Sequence, residues 1–291
     1  MPDSAGSLAA AGAYSSDRLN PQAWHIDRGS FVRTLKLSGQ SATLRFHDIP
    51  GGGTPLVFIH GLGCASSCDY PQVIADPALT RRRSILVDLL GSGYSDRPES
   101  FGYRVEDHAR TVVELIQRLE TEVDLFGHSM GGAVAIVAAT LAPRRVRHLV
   151  LAEPNLDAGG GLFSREIAAY SESDYLLYGH AQTVATASKE GDPVWAGALA
   201  ISCARAVHRA ATSLVEGDSV AWRELLFRLE MPRSAIFGER SLPHPDADSL
   251  SRMGIAVSIV QNAGHFMMRD NPAGLASAIN EALPGGDSGD I

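Results

Sequence analysis

Residues 123–132 read Val123-Asp124-Leu125-Phe126-Gly127-His128-Ser129-Met130-Gly131-Gly132. The first four form a short, mostly apolar run that suits a buried strand. Residues 132–142 are apolar nearly all round, which predicts a buried helix. Between the two lies the pattern Gly-x-Ser-x-Gly, centred on Ser129. In a strand-to-helix setting this pattern predicts a sharp, strained turn that holds the serine hydroxyl exposed. Ser129 is therefore the candidate nucleophile.

Outward from this turn the chain keeps one rhythm. Apolar runs recur at residues 56–59, 85–87, 149–151, 235–237 and 257–260. Strands apolar on both faces belong to a parallel sheet covered by helices on each side. Helical periodicity lies between them. Ala109, Val112, Val113, Ile116 and Leu119 share one face of a helix over residues 106–120. Asn271-Pro272 opens a last helix to Leu283, which Pro284-Gly285-Gly286 ends. Residues 30–37 and 42–47 predict a hairpin turning at 38–41, and residues 50–53 break the pattern.

The expected fold is α/β, a doubly wound, mostly parallel sheet. Residues 154–229 are helical in period, carry no strand pattern and are far too long for a loop. They predict a helical cap inserted after the strand that follows the nucleophile helix. Ligands of open α/β sheets bind beyond the carboxyl ends of the strands, so such a cap would cover the site. The expected organisation is a flexible N-terminal tail over 1–25, a core over 26–153 and 230–285, and the cap over 154–229.

Bulk properties narrow the partners. A net charge of −8 gives no electrostatic reason to bind nucleic acid. The basic run Arg81-Arg82-Arg83 reads as a solvated approach to a strand. Cys64, Cys68 and Cys203 lack the spacing of a disulfide framework or a zinc site. The apolar stretch 131–142 falls short of the roughly 20 residues a bilayer span needs. The N-terminus lacks a basic start followed by an apolar run, so it does not read as a secretion signal. A cytoplasmic monomer or homodimer acting on a small molecule is expected, with no nucleic acid, membrane, metal or organic cofactor.

A serine hydroxyl needs a base. In this architecture acid and histidine follow the serine in that order. His265 lies on the loop after the predicted strand 257–260 and just before the last helix, so it is the expected base. Two backbone amides must hold the negative charge that develops on the substrate oxygen. Met130, directly after the nucleophile, supplies one. The loop His60-Gly61-Leu62-Gly63 follows the strand 56–59, and Leu62, with Gly61 as the alternative, is the second candidate.

Taken together, His60–Gly63, the segment from Asp88 to Pro98, Gly127–Gly132 and Gly264-His265-Phe266 resemble the α/β-hydrolase fold superfamily, in the capped branch of bacterial serine hydrolases. The resemblance runs from about residue 55 to 283. It implies that Asp88 and Asp96 are structural. Relatives usually place the triad acid three residues after a glycine that follows the cap. Here Gly238-Glu239-Arg240-Ser241 puts a serine at that position. The candidates are Glu239, Asp246, Asp248 and Glu153. Glu153 is favoured, because it ends the strand 149–152 beside the nucleophile turn. Certain haloalkane dehalogenases and zearalenone lactonases resemble this arrangement.

The resemblance implies hydrolysis of a carboxylic ester or lactone of a moderately apolar small molecule through an acyl-enzyme. Carbon–carbon or amide cleavage with the same triad is the alternative, and a non-catalytic receptor on this fold is a further one. The cap's Phe163, Tyr170, Tyr175, Tyr178, Trp195 and Trp222 suit either a pocket or the cap's own core. Gly159-Gly160-Gly161 suits a hinge or a plain linker.

Overall fold

The computed structural model describes residues 32–189 and 192–283. The expected N-terminal tail, Ser30 and Phe31 of the first predicted strand, and the turn at 284–286 lie outside the described residues.

Among the described residues eight strands form one sheet: β1 (Val32–Lys36), β2 (Thr43–Ile49), β3 (Gly52–Ile59), β4 (Arg82–Asp88), β5 (Val123–His128), β6 (Val146–Ala152), β7 (Arg233–Gly238) and β8 (Ala256–Val260). Their spatial order is β1-β2-β4-β3-β5-β6-β7-β8. β2 pairs antiparallel with β1 and β4, and all other pairs are parallel. The interior strands are buried on both faces, and every residue of β5 is buried.

Alternate side chains feed two layers, as the two-residue period of a strand requires. Val57 and Ile59 face a core shared with α3 (Val105–Arg118) and α4 (Met130–Leu141). Leu56 and Phe58 face the opposite layer, formed with the turns α1 (Ser66–Asp69) and α2 (Pro71–Ile74), the turn α12 (Met267–Asp270) and the last helix α13 (Pro272–Ala282). Asn271 caps α13 by accepting from the Gly274 amide at 2.9 Å.

Two expectations change. β3 begins at Gly52, inside the segment read as a break. The Gly52 amide donates to Arg81 O at 2.8 Å, and the register slips between Gly52 and Leu56. Main-chain pairing makes that extension, with no side-chain pattern to announce it. The arginine run is also not simply solvated. Arg82 is buried, 3.2 Å from the fully buried Asp124, which Arg147 also meets at 2.7 Å. Arg83 forks onto Asp48 through two 2.9 Å bonds.

Between β6 and β7 the described residues form helices and no strand: α5 (Leu162–Ala168), α6 (Glu172–Asp174), a π turn (Tyr175–Gly179), α7 (His180–Lys189), α8 (Pro193–Ile201), α9 (Ala204–Glu216) and α10 (Trp222–Arg228). Helix α11 (Pro245–Arg252) follows β7. Ile167, Tyr175, Trp195, Leu199 and Ala211 build a small apolar cluster that reaches Cys64 of the core. Two hydrogen bonds fasten the insertion to the sheet loops: Cys203 N donates to Gly91 O at 2.8 Å and the Arg97 guanidinium to Ile201 O at 2.8 Å. Tyr175 and Trp222 are wholly buried, so they serve packing. No helix among the described residues is long and apolar enough to cross a membrane.

Candidate active site

The turn after β5 is strained. Ser129 holds φ 54° and ψ −120°, a conformation that L residues rarely adopt. Close approach explains the glycines around it. A Cβ on Gly131 would lie 2.3 Å from Ile59 O, and one on Gly127 would lie 2.4 Å from Gly131 O. Three main-chain bonds pin the turn: Ser129 N to Ala152 O at 3.0 Å, and Gly132 N and Asn155 N to Ser129 O at 2.9 and 3.1 Å.

The same bonds tie Ser129 to the end of β6, where Glu153 takes φ 38°. The side chain of Glu153 is only 5% exposed. His265 Nδ1 donates to Glu153 Oε2 at 2.7 Å, and the Gly238 amide donates to Oε1 at 2.9 Å. Burial pushes this carboxyl up. The hydrogen bond and charge of His265, a hydrogen bond from the Ser241 side chain and the Gly238 amide outweigh burial and hold it well below the ordinary carboxylate range. Ser241, at the position where an acid was expected, thus supports the acid at Glu153.

A carboxylate only accepts hydrogen bonds, so Nδ1 of His265 carries the proton and Nε2 of the neutral ring is left as an acceptor. The His265 carbonyl accepts from His128 Nε2 at 2.8 Å. His128 is fully buried; burial first, and then the charge of His265, push it well below the usual histidine range. It is a neutral strut under the His265 loop. Ser129 Oγ donates to Asn155 Oδ1 at 3.5 Å and makes no hydrogen bond with His265 among the described residues. Serine and histidine nevertheless line one cavity.

The Leu62 and Met130 amides donate no hydrogen bond to any described residue. Leu62 lines the cavity, and Met130 opens α4 directly after Ser129. The loop before Leu62 is tightly set. Leu89 N donates to His60 Nε2 at 3.1 Å, which leaves the proton on Nδ1 to bond Gly61 O at 2.8 Å. Trp195 Nε1 donates to Leu62 O at 3.1 Å. Gly63, at φ 67°, leaves no space for a Cβ, which would lie 2.7 Å from Leu199.

The other acid candidates are committed elsewhere. Glu239 Oε2 accepts from Asn262 N at 2.8 Å, Asp246 pairs with Arg223 at 2.5 Å, and Asp248 is exposed on α11. Asp88 is buried and accepts from Ser67 and from the Tyr94 amide, while Asp96 binds Arg45 and Thr43 N. Both fasten loops.

The cavity measures about 490 Å³. Leu62, Phe163, Trp195 and Phe266 give it an apolar wall, and Asn155, Asp157, His244 and Asp246 give it polar groups. Sequence reasoning missed Asn155, which sits two residues beyond Glu153 in no recognisable motif. It also missed the polar wall, whose members come from separate segments.

The profile of the alpha/beta hydrolase fold family matches residues 54–174. The chain has the α/β-hydrolase fold, and residues 54–174 carry the match to that family. A 2-hydroxy-6-oxo-2,4-heptadienoate hydrolase of Pseudomonas putida is 36% identical over 122 residues, covering 41% of this chain and 44% of that protein. The match thus spans less than half the length of that curated relative. An esterase from Exiguobacterium antarcticum superposes with a TM-score of 0.71 at 21% identity, over 85% of this chain and 97% of its own. An N-acyl homoserine lactonase complexed with N-hexanoyl homoserine superposes with a TM-score of 0.70 at 21% identity, over 89% and 98%. At such identities the two structures share the fold with this chain.

Proposed function

We propose that this chain is a serine hydrolase that cleaves a carboxylic ester or lactone of a moderately apolar small molecule through an acyl-enzyme. The observation that carries the reading is the 2.7 Å bond between His265 Nδ1 and Glu153, inside the cavity that also holds Ser129. Ser129 Oγ turns from Asn155 towards His265 and attacks the carbonyl carbon, and its proton passes to Nε2. Glu153 holds the ring in the required tautomer and stabilises the imidazolium. The Leu62 and Met130 amides hold the oxyanion. Nε2–H then protonates the departing alkoxide. Water, activated by the same nitrogen, attacks the acyl carbon and frees the acid and Ser129.

The helical insertion acts as the cap of this site and supplies Phe163 and Trp195 of its apolar wall. Its charges support the choice of substrate. No lysine or arginine lines the cavity among the described residues, whereas Asp157 and Asp246 do. Arg223, behind them, is bound to both. Two carboxylates share that one guanidinium, so a substrate bearing a free carboxylate would meet a net negative wall, which costs binding energy. A neutral ester or lactone meets no such cost. The test is a panel of neutral short-chain esters and lactones beside a 2-hydroxy-6-oxo-dienoate. Turnover of the neutral compounds, lost in Ser129→Ala, is expected. Preference for the dienoate would favour carbon–carbon cleavage, and no turnover of any compound would favour a receptor.

A further inference from the structure

We propose that the cavity at Ser129 continues past the ring of Phe163 into a second groove, and that this groove takes the far end of a medium-length acyl chain. The inference rests on the ester-hydrolase reading above. The groove measures about 630 Å³ and lies among α5, α7 and α8. It shares two lining residues with the catalytic cavity, Phe163 and Trp195. Their rings stand together between the two spaces, with centroids 4.5 Å apart.

The two partners are held very differently. Trp195 is 3% exposed. Its indole donates to Leu62 O at 3.1 Å and its amide to Asp192 Oδ1 at 2.8 Å. Asp192 is in turn gripped by Arg269 through two 2.7 Å bonds. Phe163 is half-buried near the start of the short helix α5. The chain reaches it through Gly159 and Gly160, at φ 107° and 60°, and Gly161, where a Cβ would meet nothing within 4 Å. Trp195 is the fixed post, and Phe163 is the side able to swing.

The groove's lining suits an alkyl chain. Its buried residues are apolar, Ala187 and Trp195, with Phe163 and Tyr170 half-buried beside them. Its exposed residues include Gln182, Thr186 and Lys189. An acyl tail laid there covers apolar surface and leaves the polar rim in water, the arrangement that apolar ligand clefts use. An acyl chain that leaves the catalytic cavity at this wall would displace the Phe163 ring.

The test compares kcat/KM for p-nitrophenyl octanoate with that for p-nitrophenyl acetate in the wild type, Phe163→Ala and Thr186→Trp. Thr186 is exposed, so its replacement narrows the groove without disturbing a core. The octanoate-to-acetate ratio is expected to rise roughly tenfold in Phe163→Ala and fall roughly tenfold in Thr186→Trp, the scale set by lost or gained methylene contacts. An unchanged ratio in both variants, with active protein, overturns the groove and leaves the hydrolase reading standing. If the wild type turns over no ester, that reading fails. Calorimetric titration with 1-decanol then judges the groove alone: binding about tenfold weaker in Thr186→Trp supports it, and equal binding overturns it.

Discussion

Glu153 and His265 stand 112 positions apart in the chain, and their side chains meet at 2.7 Å at the carboxyl edge of the sheet. The contact joins the end of β6 to the loop after β8. It fixes the tautomer of His265, and it lies beside two strained residues, Ser129 and Glu153.

Glu153→Gln keeps the shape and loses the charge. The amide allows the histidine to present the wrong nitrogen, and comparable changes cost about four orders of magnitude in kcat. A loss of that order is expected on a short-chain ester. Asp246→Asn should stay within about tenfold of wild type, since Asp246 binds Arg223 rather than His265. Wild-type turnover in Glu153→Gln would give the acid's role to another residue.

The Glu153 carboxyl also makes stability depend on pH. Its folded value lies below the unfolded glutamate value of about 4.3. A depressed carboxyl contributes stability that is fully present above the unfolded value and lost as pH falls through the folded one. Urea midpoints of the wild type should therefore exceed those of Glu153→Gln near neutrality, and the gap should narrow as pH falls below about 4. Parallel curves down to that range would contradict the depressed Glu153 carboxyl.

Arg82 needs Asp124. Both are buried, and Arg82 is left with an uncompensated charge in Asp124→Ala. Removing one partner of such a pair costs about 3–5 kcal/mol. The strand rise of about 3.3 Å per residue puts Asp124 on the order of 15 Å from Ser129. Denaturant titration should show the loss, while kcat/KM of the folded fraction stays near wild type.

Gly131→Ala forces a Cβ against two backbone carbonyls, Ile59 O at 2.3 Å and His60 O at 2.6 Å. Neither can move without shifting the loop that carries Leu62. A drop of about 1–3 kcal/mol is expected, together with reduced kcat. Gly39→Ala, where a Cβ meets nothing within 4 Å, serves as the near-neutral control. Equal effects of the two changes would contradict the crowding at the elbow.

The parallel strands were legible because burial on both faces leaves continuous apolar runs, as in residues 56–59 and 149–151. The strained turn at Ser129 and the place of His265 on the loop after β8 were legible through motif and chain order. The strand start at Gly52 was not, because main-chain pairing alone sustains it. Arg82 read as solvated because its partner, Asp124, lies 42 positions away. The serine at position 241 drew attention to Glu153, yet only the fold brings Ser241, Gly238 and His265 around that carboxylate. The groove behind Phe163 depends on how separate helices pack, which no local pattern records.

The proposed chemistry makes Ser129 a nucleophile activated by His265. Its most direct test is covalent labelling with an alkyl fluorophosphonate, read by mass spectrometry of the digested protein. One adduct on the peptide carrying Ser129, absent in Ser129→Ala and much slower to form in His265→Ala, is the predicted result. An unlabelled Ser129 in protein that still hydrolyses esters would contradict it.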